Sequence, residues 1–148
     1  MLKTFARRGG IILAVLVSMR ILAACVWPTI NDVTTGATPE YPDLKPQHFA
    51  QGYDQVYDAA LAVGRGLGWD VTADDRAKGE IQAVATTRIF RFKDDVTVTL
   101  ARETAGVTVG VRSHSRIGKG DLGTNARRIR LFQTTLAERL ASPGASGG

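Results

Sequence analysis

The sequence is poor in the residues that build disulfides and metal sites. Its 148 residues include one cysteine, Cys25, and two histidines, His48 and His114. A single cysteine cannot form an internal disulfide. The three residues also lie far apart in the sequence. Cys25 lies in the N-terminal apolar run, His48 at the start of the first predicted helix, and His114 at the end of the last predicted strand. We therefore predict no metal ligands and no bound cofactor.

Acidic residues are missing from the N-terminal region, since none precedes Asp32. The rest of the chain is nearly balanced: 15 of the 19 basic residues follow residue 25, together with all 14 acidic ones. A nucleic-acid-binding domain needs a basic face of its own, and the overall charge of +5 comes mainly from the N-terminal region. The distribution argues against nucleic acid as a partner.

Residues 1–28 join a basic start to an apolar run and predict an N-terminal membrane anchor or a lipoprotein-type signal. A spanning helix over residues 11–27 would have about 17 residues, the lower limit for crossing the hydrocarbon, with Arg20 snorkelling and Trp27 at the interface. The stretch LAAC resembles a bacterial lipobox and makes Cys25 a candidate for lipidation. A cleaved secretory signal is the third alternative. Each one places the following domain outside the cytoplasm, and the membrane anchor places it on the outer, periplasmic side of the inner membrane; a lipoprotein of the cell envelope is the alternative.

Proline and glycine divide the remaining chain. Four of the five prolines lie between residues 28 and 46, where no periodicity is sustained. We interpret residues 29–46 as a Pro-rich tether that spaces the domain from the membrane. Residues 47–141 form a single domain in this interpretation, and residues 142–148 a flexible tail.

Hydrophobic periodicity within residues 47–141 predicts an α+β two-layer sandwich. The expected order is helix-strand-strand-strand-strand-helix, with an antiparallel four-stranded sheet and both helices on one face. The helical stripes are Phe49, Tyr53, Val56, Ala60, Val63 and Leu67, and Leu122, Asn125, Ile129, Phe132, Leu136 and Leu140. Alternating apolar residues place the strands at residues 69–73, 81–85, 96–100 and 107–111. Asp121 or Thr124 is expected to cap the last helix.

The stretch from Gly118 to Gly123 reads G-x-G-x-x-G, the spacing of a dinucleotide-binding loop. That fold requires a βαβ unit with an acidic residue about 20 positions beyond the loop. Here the following helix is the last element, and Asp121 puts a carboxylate where pyrophosphate belongs. A P-loop fails as well, since Lys119 precedes its glycine and no Gly-Lys-Ser/Thr follows. Gly118 and Gly120 instead suit a tight turn with positive φ, and we predict no nucleotide binding.

His114 stands between Ser113 and Ser115, an arrangement that suggests a nucleophile beside a base. Neighbouring strand residues point to opposite faces of a sheet, so both serines face away from the histidine. Serine catalysis also needs an orienting carboxylate and an oxyanion site. We predict no catalytic residues.

The open face of the sheet carries a candidate anion-binding patch. If Val107, Val109 and Val111 face the helices, the opposite face presents Arg112, His114 and Arg116, and Arg88 could join them from a neighbouring strand. Arginines bind phosphate or carboxylate groups in bidentate fashion. The alternative, which we favour, is that Asp94, Asp95 and Asp121 pair with these arginines and keep the face soluble. Asn125 is expected to be a buried amide that binds backbone groups.

Two runs resemble a known family: GEIQAVATTRIFRFKDDVTVTL (residues 79–100) and VRSHSRIGKGDLGTNARRIRLF (residues 111–132). Together with INDVTT (residues 30–35), they are similar to the domain-of-unknown-function 1499 family. The resemblance rests on a motif of Asp94, Asp95, Ser115, Arg116, Asp121, Leu122, Gly123, Asn125, Arg128, Ile129 and Arg130. It implies a small, membrane-anchored bacterial domain with no established activity, and favours an uncleaved anchor. His114 departs from the arginine associated with its position.

These observations lead to two functional hypotheses. The first is a non-catalytic, membrane-anchored domain of the cell envelope that binds a protein or an anionic envelope component. The second is an enzyme, or enzyme subunit, that acts on lipid or cell-wall material through carboxylates and arginines.

Overall fold

The computed structural model describes residues 30–88, 91–118, 120 and 122–142, which form an α+β fold of two helices and a six-stranded antiparallel sheet. In chain order the elements are β1 (Asp32–Thr34), β2 (Gln47–Phe49), α1 (Tyr53–Gly66), β3 (Asp70–Asp75), β4 (Glu80–Thr86), β5 (Lys93–Glu103), β6 (Gly106–Ser115) and α2 (Thr124–Ala141). No helix in this part of the chain is long and apolar enough to cross a membrane. The expected anchor, with Cys25, and residues 143–148 of the expected tail lie outside the described residues.

The sheet has the order β1-β6-β5-β4-β3, and β2 also pairs with β6. Strand β1 pairs with residues 112–114 of β6, and β2 pairs with residues 107–109. The predicted count of four strands is therefore wrong. The two missed strands have three residues each, too few for an alternating pattern to be visible in the sequence.

Residues 30–46, interpreted above as a spacing tether, contribute to the sheet and to the core. Val33 in β1 is fully buried, and Leu44 is 2% exposed. The backbone between them is anchored, since Thr35 N donates to Val111 O and Gly36 N donates to Leu44 O. The chain thus joins the folded domain from its first described residues.

Buried side chains on β4, β5 and β6 alternate as the sequence predicts. On the buried side lie Ile81, Ala83 and Ala85 of β4, Val96, Val98 and Leu100 of β5, and Val107, Val109 and Val111 of β6. Strand β3 is different: Ala73, predicted to be buried, is exposed. A register shift between Val71 and Ala73 changes the side on which the following residues lie.

The helices follow their predicted stripes with two corrections. Phe49 belongs to β2, because α1 begins at Tyr53. Leu122 precedes α2 and is 63% exposed, although Asn125 and the later members of its stripe are buried. Trp69, just before β3, stacks on Phe132 of α2 with ring centroids 5.1 Å apart.

The predicted cap of α2 is also corrected. Its N-cap residue is Gly123, which has a φ of 74° and no side chain to accept a hydrogen bond. Thr124 is the first helical residue, and Asp121 lies outside the described residues. The left-handed conformation at Gly123 turns the chain from β6 into the helix at a position where glycine carries no steric penalty.

The β5–β6 turn gives a test of how β2 is seated. Gly106 has a φ of 130°, and a methyl group there would overlap the carbonyl oxygen of Phe49. Gly106→Ala should destabilise the protein by about 1–3 kcal/mol, through a strained backbone and a displaced β2. Gly66→Ala is the control, because Gly66 ends α1 with open space around it and should be neutral or stabilise by up to about 1 kcal/mol. Chemical denaturation measures both, and equal effects would contradict this seating of β2.

Candidate functional site

A polar cluster interrupts the apolar side of the sheet at one end of β5 and β6. Asp94 continues the buried alternation of β5, and Ser113 and Ser115 continue that of β6. All three meet Asn125 and Arg128 from the first two turns of α2. We call these five residues the buried network.

An ion pair forms the centre of the buried network. Arg128 Nη2 donates to Asp94 Oδ2 at 2.6 Å, and the two side chains are only 10% and 3% exposed. The other guanidinium nitrogen, Nη1, donates to Ser113 Oγ at 2.8 Å and to Asn125 Oδ1 at 2.7 Å. A buried carboxylate is tolerated only when such a partner compensates its lost hydration.

Asn125 uses both ends of its amide and is fully buried, on the side of α2 that its phasing predicts. Its Oδ1 also accepts from Ser113 Oγ at 2.7 Å. Its Nδ2 donates to Ser115 Oγ at 2.9 Å and to the backbone oxygen of Asn31 at 3.0 Å. The amide therefore joins α2, β6 and the segment before β1.

Asn31 completes this connection. Its side-chain Nδ2 donates to Gly118 O at 2.9 Å, and its backbone oxygen accepts from Ser115 N at 2.7 Å. Sequence reasoning missed Asn31 and the role of Ser113. Asn31 could have been found, since it belongs to the INDVTT segment on which the family resemblance partly rests.

The opposite alternation of β6 presents Arg112 and His114 on the open face, and Arg116 follows directly after the strand. Arg112 makes a bidentate pair with Asp32 of β1, with Nε to Oδ1 at 3.0 Å and Nη2 to Oδ2 at 2.5 Å. Arg116 makes the same kind of pair with Asp95, at 3.0 and 2.6 Å. Hydrogen bonding by Arg116 lowers the pKa of Asp95, and the Asp32 carboxylate raises the pKa of Arg112.

These pairs differ in part from the expected ones. Asp95 binds Arg116, whereas Asp94 faces the other side of the sheet and binds Arg128. The partner of Arg112 is Asp32, which could not be identified while β1 was unrecognised. The remaining member of the candidate patch, Arg88, is exposed in the turn after β4.

His114 lies directly between two carboxylates on neighbouring strands. Its cross-strand partners are Asp32 on β1 and Asp95 on β5. Its Nδ1 is 3.7 Å from Asp32 Oδ2, an electrostatic contact beyond hydrogen-bond distance. Ser113 and Ser115 are buried on the other face, so neither hydroxyl shares a site with the imidazole.

A shallow groove of about 410 Å³ lies on the open face, with Arg112 at its edge. Five threonines and one arginine contribute to its walls: Thr34, Thr35, Thr97, Thr99, Thr108 and Arg112. Threonine hydroxyls donate and accept hydrogen bonds, and the guanidinium supplies a positive rim. Most of the exposed surface of the groove is nevertheless apolar, with Pro46, Ala101 and Val111 among its lining residues, so Arg112 is the charged group that it offers to a ligand.

Two observations bear on chemistry elsewhere in the domain. Within the described ranges, no group of three or more His, Cys, Asp or Glu side chains is placed to hold a metal ion. Burial, together with the neighbouring Asp74 carboxylate, raises the pKa of Tyr57 above its usual range. Its hydroxyl donates to Asp74 and to the backbone oxygen of Glu80, which makes it a tie between α1, β3 and β4.

The fold and the buried network define the class of the protein: a small α+β domain whose last helix is fixed to an antiparallel sheet by an Asp–Arg–Asn cluster. A family model described as "Protein of unknown function (DUF1499)" matches residues 22–136. The chain therefore belongs to the DUF1499 family. No curated protein matches the sequence.

The motif residues of the resemblance lie in several places in the structure. Asp94, Ser115, Asn125 and Arg128 meet in the buried network. Asp95 and Arg116 pair on the open face, Gly123 turns the chain into α2, and Arg130 pairs with Asp43 at 2.7 Å. Four of the motif residues thus contribute to the contact between α2 and the sheet.

The buried ion pair gives a stability prediction. Arg128→Met leaves Asp94 buried without a positive partner and should cost about 3–5 kcal/mol of unfolding free energy. Arg130→Met, two residues further along α2, removes an exposed pair and should cost at most about 1 kcal/mol. Denaturant titration of both variants checks the difference.

A double variant separates the ion pair from simple packing. Asp94→Val combined with Arg128→Met removes both charges, so it should be more stable than Arg128→Met alone. A double variant that is less stable than the single one would contradict the role assigned to the charge pair.

Proposed function

We propose that the protein is a non-catalytic, membrane-anchored domain of the cell envelope that binds a protein or an anionic envelope component through its open sheet face. Residues 1–28 would hold it on the outer side of the inner membrane as an uncleaved anchor. Lipidation at Cys25 is the alternative form of attachment.

A two-layer arrangement supports this proposal. The helices contact each other, α2 contacts β6 and β1, and α1 contacts β3, β5 and β6. Buried residues of β5 and β6 lie on the alternation that meets α2. In the proposed arrangement both helices cover this one face, which leaves the other face of the sheet available to a partner.

The observation that carries the proposal is the composition of the open face. Arg112 borders its mainly apolar groove, and beside the groove Arg112 and Arg116 pair with the carboxylates of Asp32 and Asp95 on neighbouring strands. These ion pairs are about half exposed, and exposed pairs contribute about 0.2–1 kcal/mol each. An incoming carboxylate or phosphate can therefore replace Asp32 or Asp95 as the partner of an arginine at little cost.

The binding test uses full-length protein in lipid nanodiscs, titrated with soluble cell-wall glycopeptides that carry free carboxylates. We expect saturable binding that weakens with added salt, because exposed charges are screened. Replacing Arg112 and Arg116 together by Gln should reduce affinity by about two- to thirtyfold, since each exposed arginine–carboxylate pair contributes about 0.2–1 kcal/mol. Arg76→Gln is the control, because Arg76 pairs with Asp54 and Asp58 away from this face.

Unchanged binding by the double variant would contradict the proposed site. Binding lost equally in the Arg76→Gln control would contradict it too, since the effect would not belong to the open face. The enzyme hypothesis predicts a different result: cleavage of the glycopeptide, visible as a change in its mass, with dependence on the same arginines.

The form of attachment is tested separately. An uncleaved anchor predicts that the mature protein retains Met1 to Trp27, and that Cys25→Ser stays in the membrane fraction. The basis is Arg20, which interrupts the apolar run before the lipobox-like stretch. Intact-mass analysis that shows loss of the first 24 residues and addition of a diacylglycerol would favour the lipoprotein.

A further inference from the structure

We propose that one end of the domain lies on an anionic lipid surface. The contact is made by apolar and basic side chains of the β4–β5 connection, the β6–α2 connection and the first turn of α2. We call this end the anchor pole and define it by Arg88, Arg91, Phe92, Ile117, Leu122 and Arg127. Its orientation towards the membrane rests on the proposed N-terminal anchor, whereas its affinity for lipid is independent of it.

Exposed large apolar residues cluster at this end. Within the described part of the chain, four large apolar residues are 44–64% exposed; Phe92, Ile117 and Leu122 belong to this end, whereas Leu131 lies further along α2. Phe92 and Ile117 each lie two residues beyond the cross-strand pair Asp94–Ser115, so both connections leave the sheet side by side. Leu122 lies just before α2 begins. Clustering of exposed apolar side chains at one end marks an interaction site rather than chance exposure.

The backbone conformation of Leu122 supports a functional role for its exposed side chain. Leu122 has a φ of 52°, in the left-handed region that leucine rarely adopts. A non-glycine residue in such a region strains the backbone, and such strain concentrates at functional positions. Here the strained residue is also 63% exposed, so burial in the domain does not offset the cost.

The charge of the anchor pole complements an anionic surface. Arg88, Arg91 and Arg127 are exposed, and Arg127 donates to the Leu122 backbone oxygen and to Thr124 Oγ1, neither of which is a carboxylate. Basic residues near an anionic membrane are attracted by its negative surface potential.

Acidic residues at the same end of the domain offset the positive charge of the anchor pole only in part. At the same end, Asp32 and Asp95 already bind arginines of the open face, and Asp70 begins the edge strand β3. At the opposite end of the sheet, basic residues have carboxylate partners of their own, as Arg76 has with Asp54 and Lys78 with Asp75.

The N-terminal segment enters the domain at the anchor pole. Asn31 is bound there to Gly118 through its side chain and to Asn125 through its backbone oxygen. From Trp27 to Asn31 the chain can extend at most about 14 Å, at roughly 3.5 Å per residue. An anchor over residues 11–27 would therefore hold this end, with its apolar and basic side chains, against the lipid headgroups, where such a combination is favoured.

The experiment measures depth in the bilayer with spin labels on the full-length chain. In a Cys25→Ser background, single cysteines replace Ile117 or Leu122 at the anchor pole, or Ala105 in the β5–β6 turn at the other end. The protein is reconstituted into vesicles of phosphatidylcholine, alone or mixed with phosphatidylglycerol. Accessibility of each label to oxygen and to a water-soluble nickel chelate is then recorded.

We expect the labels at positions 117 and 122 to lose nickel accessibility severalfold and to gain oxygen accessibility in the anionic vesicles, while the label at 105 stays accessible to nickel. Replacing Arg88, Arg91 and Arg127 by Gln should remove the dependence on phosphatidylglycerol. A matched variant that replaces Lys78, Arg102 and Arg139 by Gln loses the same charge elsewhere and should retain it.

Vesicle flotation distinguishes two outcomes: a wrong N-terminal anchor, and a wrong contact between the anchor pole and lipid. If the protein floats with both vesicle types while labels at 117 and 122 stay accessible to nickel, the proposed lipid contact of the anchor pole is overturned and the N-terminal anchor is supported. Flotation only with anionic vesicles would support the pole and overturn the anchor, and absence of flotation would overturn both. Labels shielded equally in every lipid and in detergent would indicate that residues 11–27 cover the pole, which overturns the inference.

Discussion

The carboxylate of Asp94 is buried beneath α2, and the position of the helix depends on neutralising it. Burial of an ion costs several kcal/mol unless a partner of opposite charge is fixed beside it, and Arg128 provides that partner at 2.6 Å. This contact holds the first turns of α2 against β5 and β6. Further along the helix, buried apolar side chains hold α2 against the core, as in the stacking of Phe132 on Trp69.

The same cluster determines where the N-terminal segment joins the domain. Asn125 binds Arg128 through its amide oxygen and the Asn31 backbone through its amide nitrogen, so β1 is tied to α2 as well as to β6. In the proposed arrangement this junction faces the bilayer, and the open sheet face then lies to the side, where a partner in the envelope can reach it. Attachment and binding would use different surfaces of one domain.

Sequence reasoning recovered the elements whose patterns are long enough to read. Strands β4, β5 and β6 and the stripe of α2 from Asn125 to Leu140 follow from periodicity, because burial on one side repeats over several turns or residues. Strands β1 and β2 were missed because three residues carry no readable alternation, and the partner of Arg112 was missed with β1. Leu122 fits the helical stripe by spacing, but helical spacing cannot show that the helix begins only at Thr124, after the turn at Gly123. Only one feature of the sequence indicated that Asp94 is buried: its position continues the alternation of Val96 and Val98.

Hydrogen exchange of the Asn125→Leu variant tests most directly whether the buried network ties the N-terminal segment to the domain. Leucine fills the space of the amide but can bind neither the Asn31 backbone nor Arg128, so the account predicts faster exchange in residues 31–35 and at the start of α2. Protection in β4 and in the centre of β5 should remain close to that of the unmodified protein. Unchanged exchange in residues 31–35, or an equal loss of protection in every strand, would contradict the account.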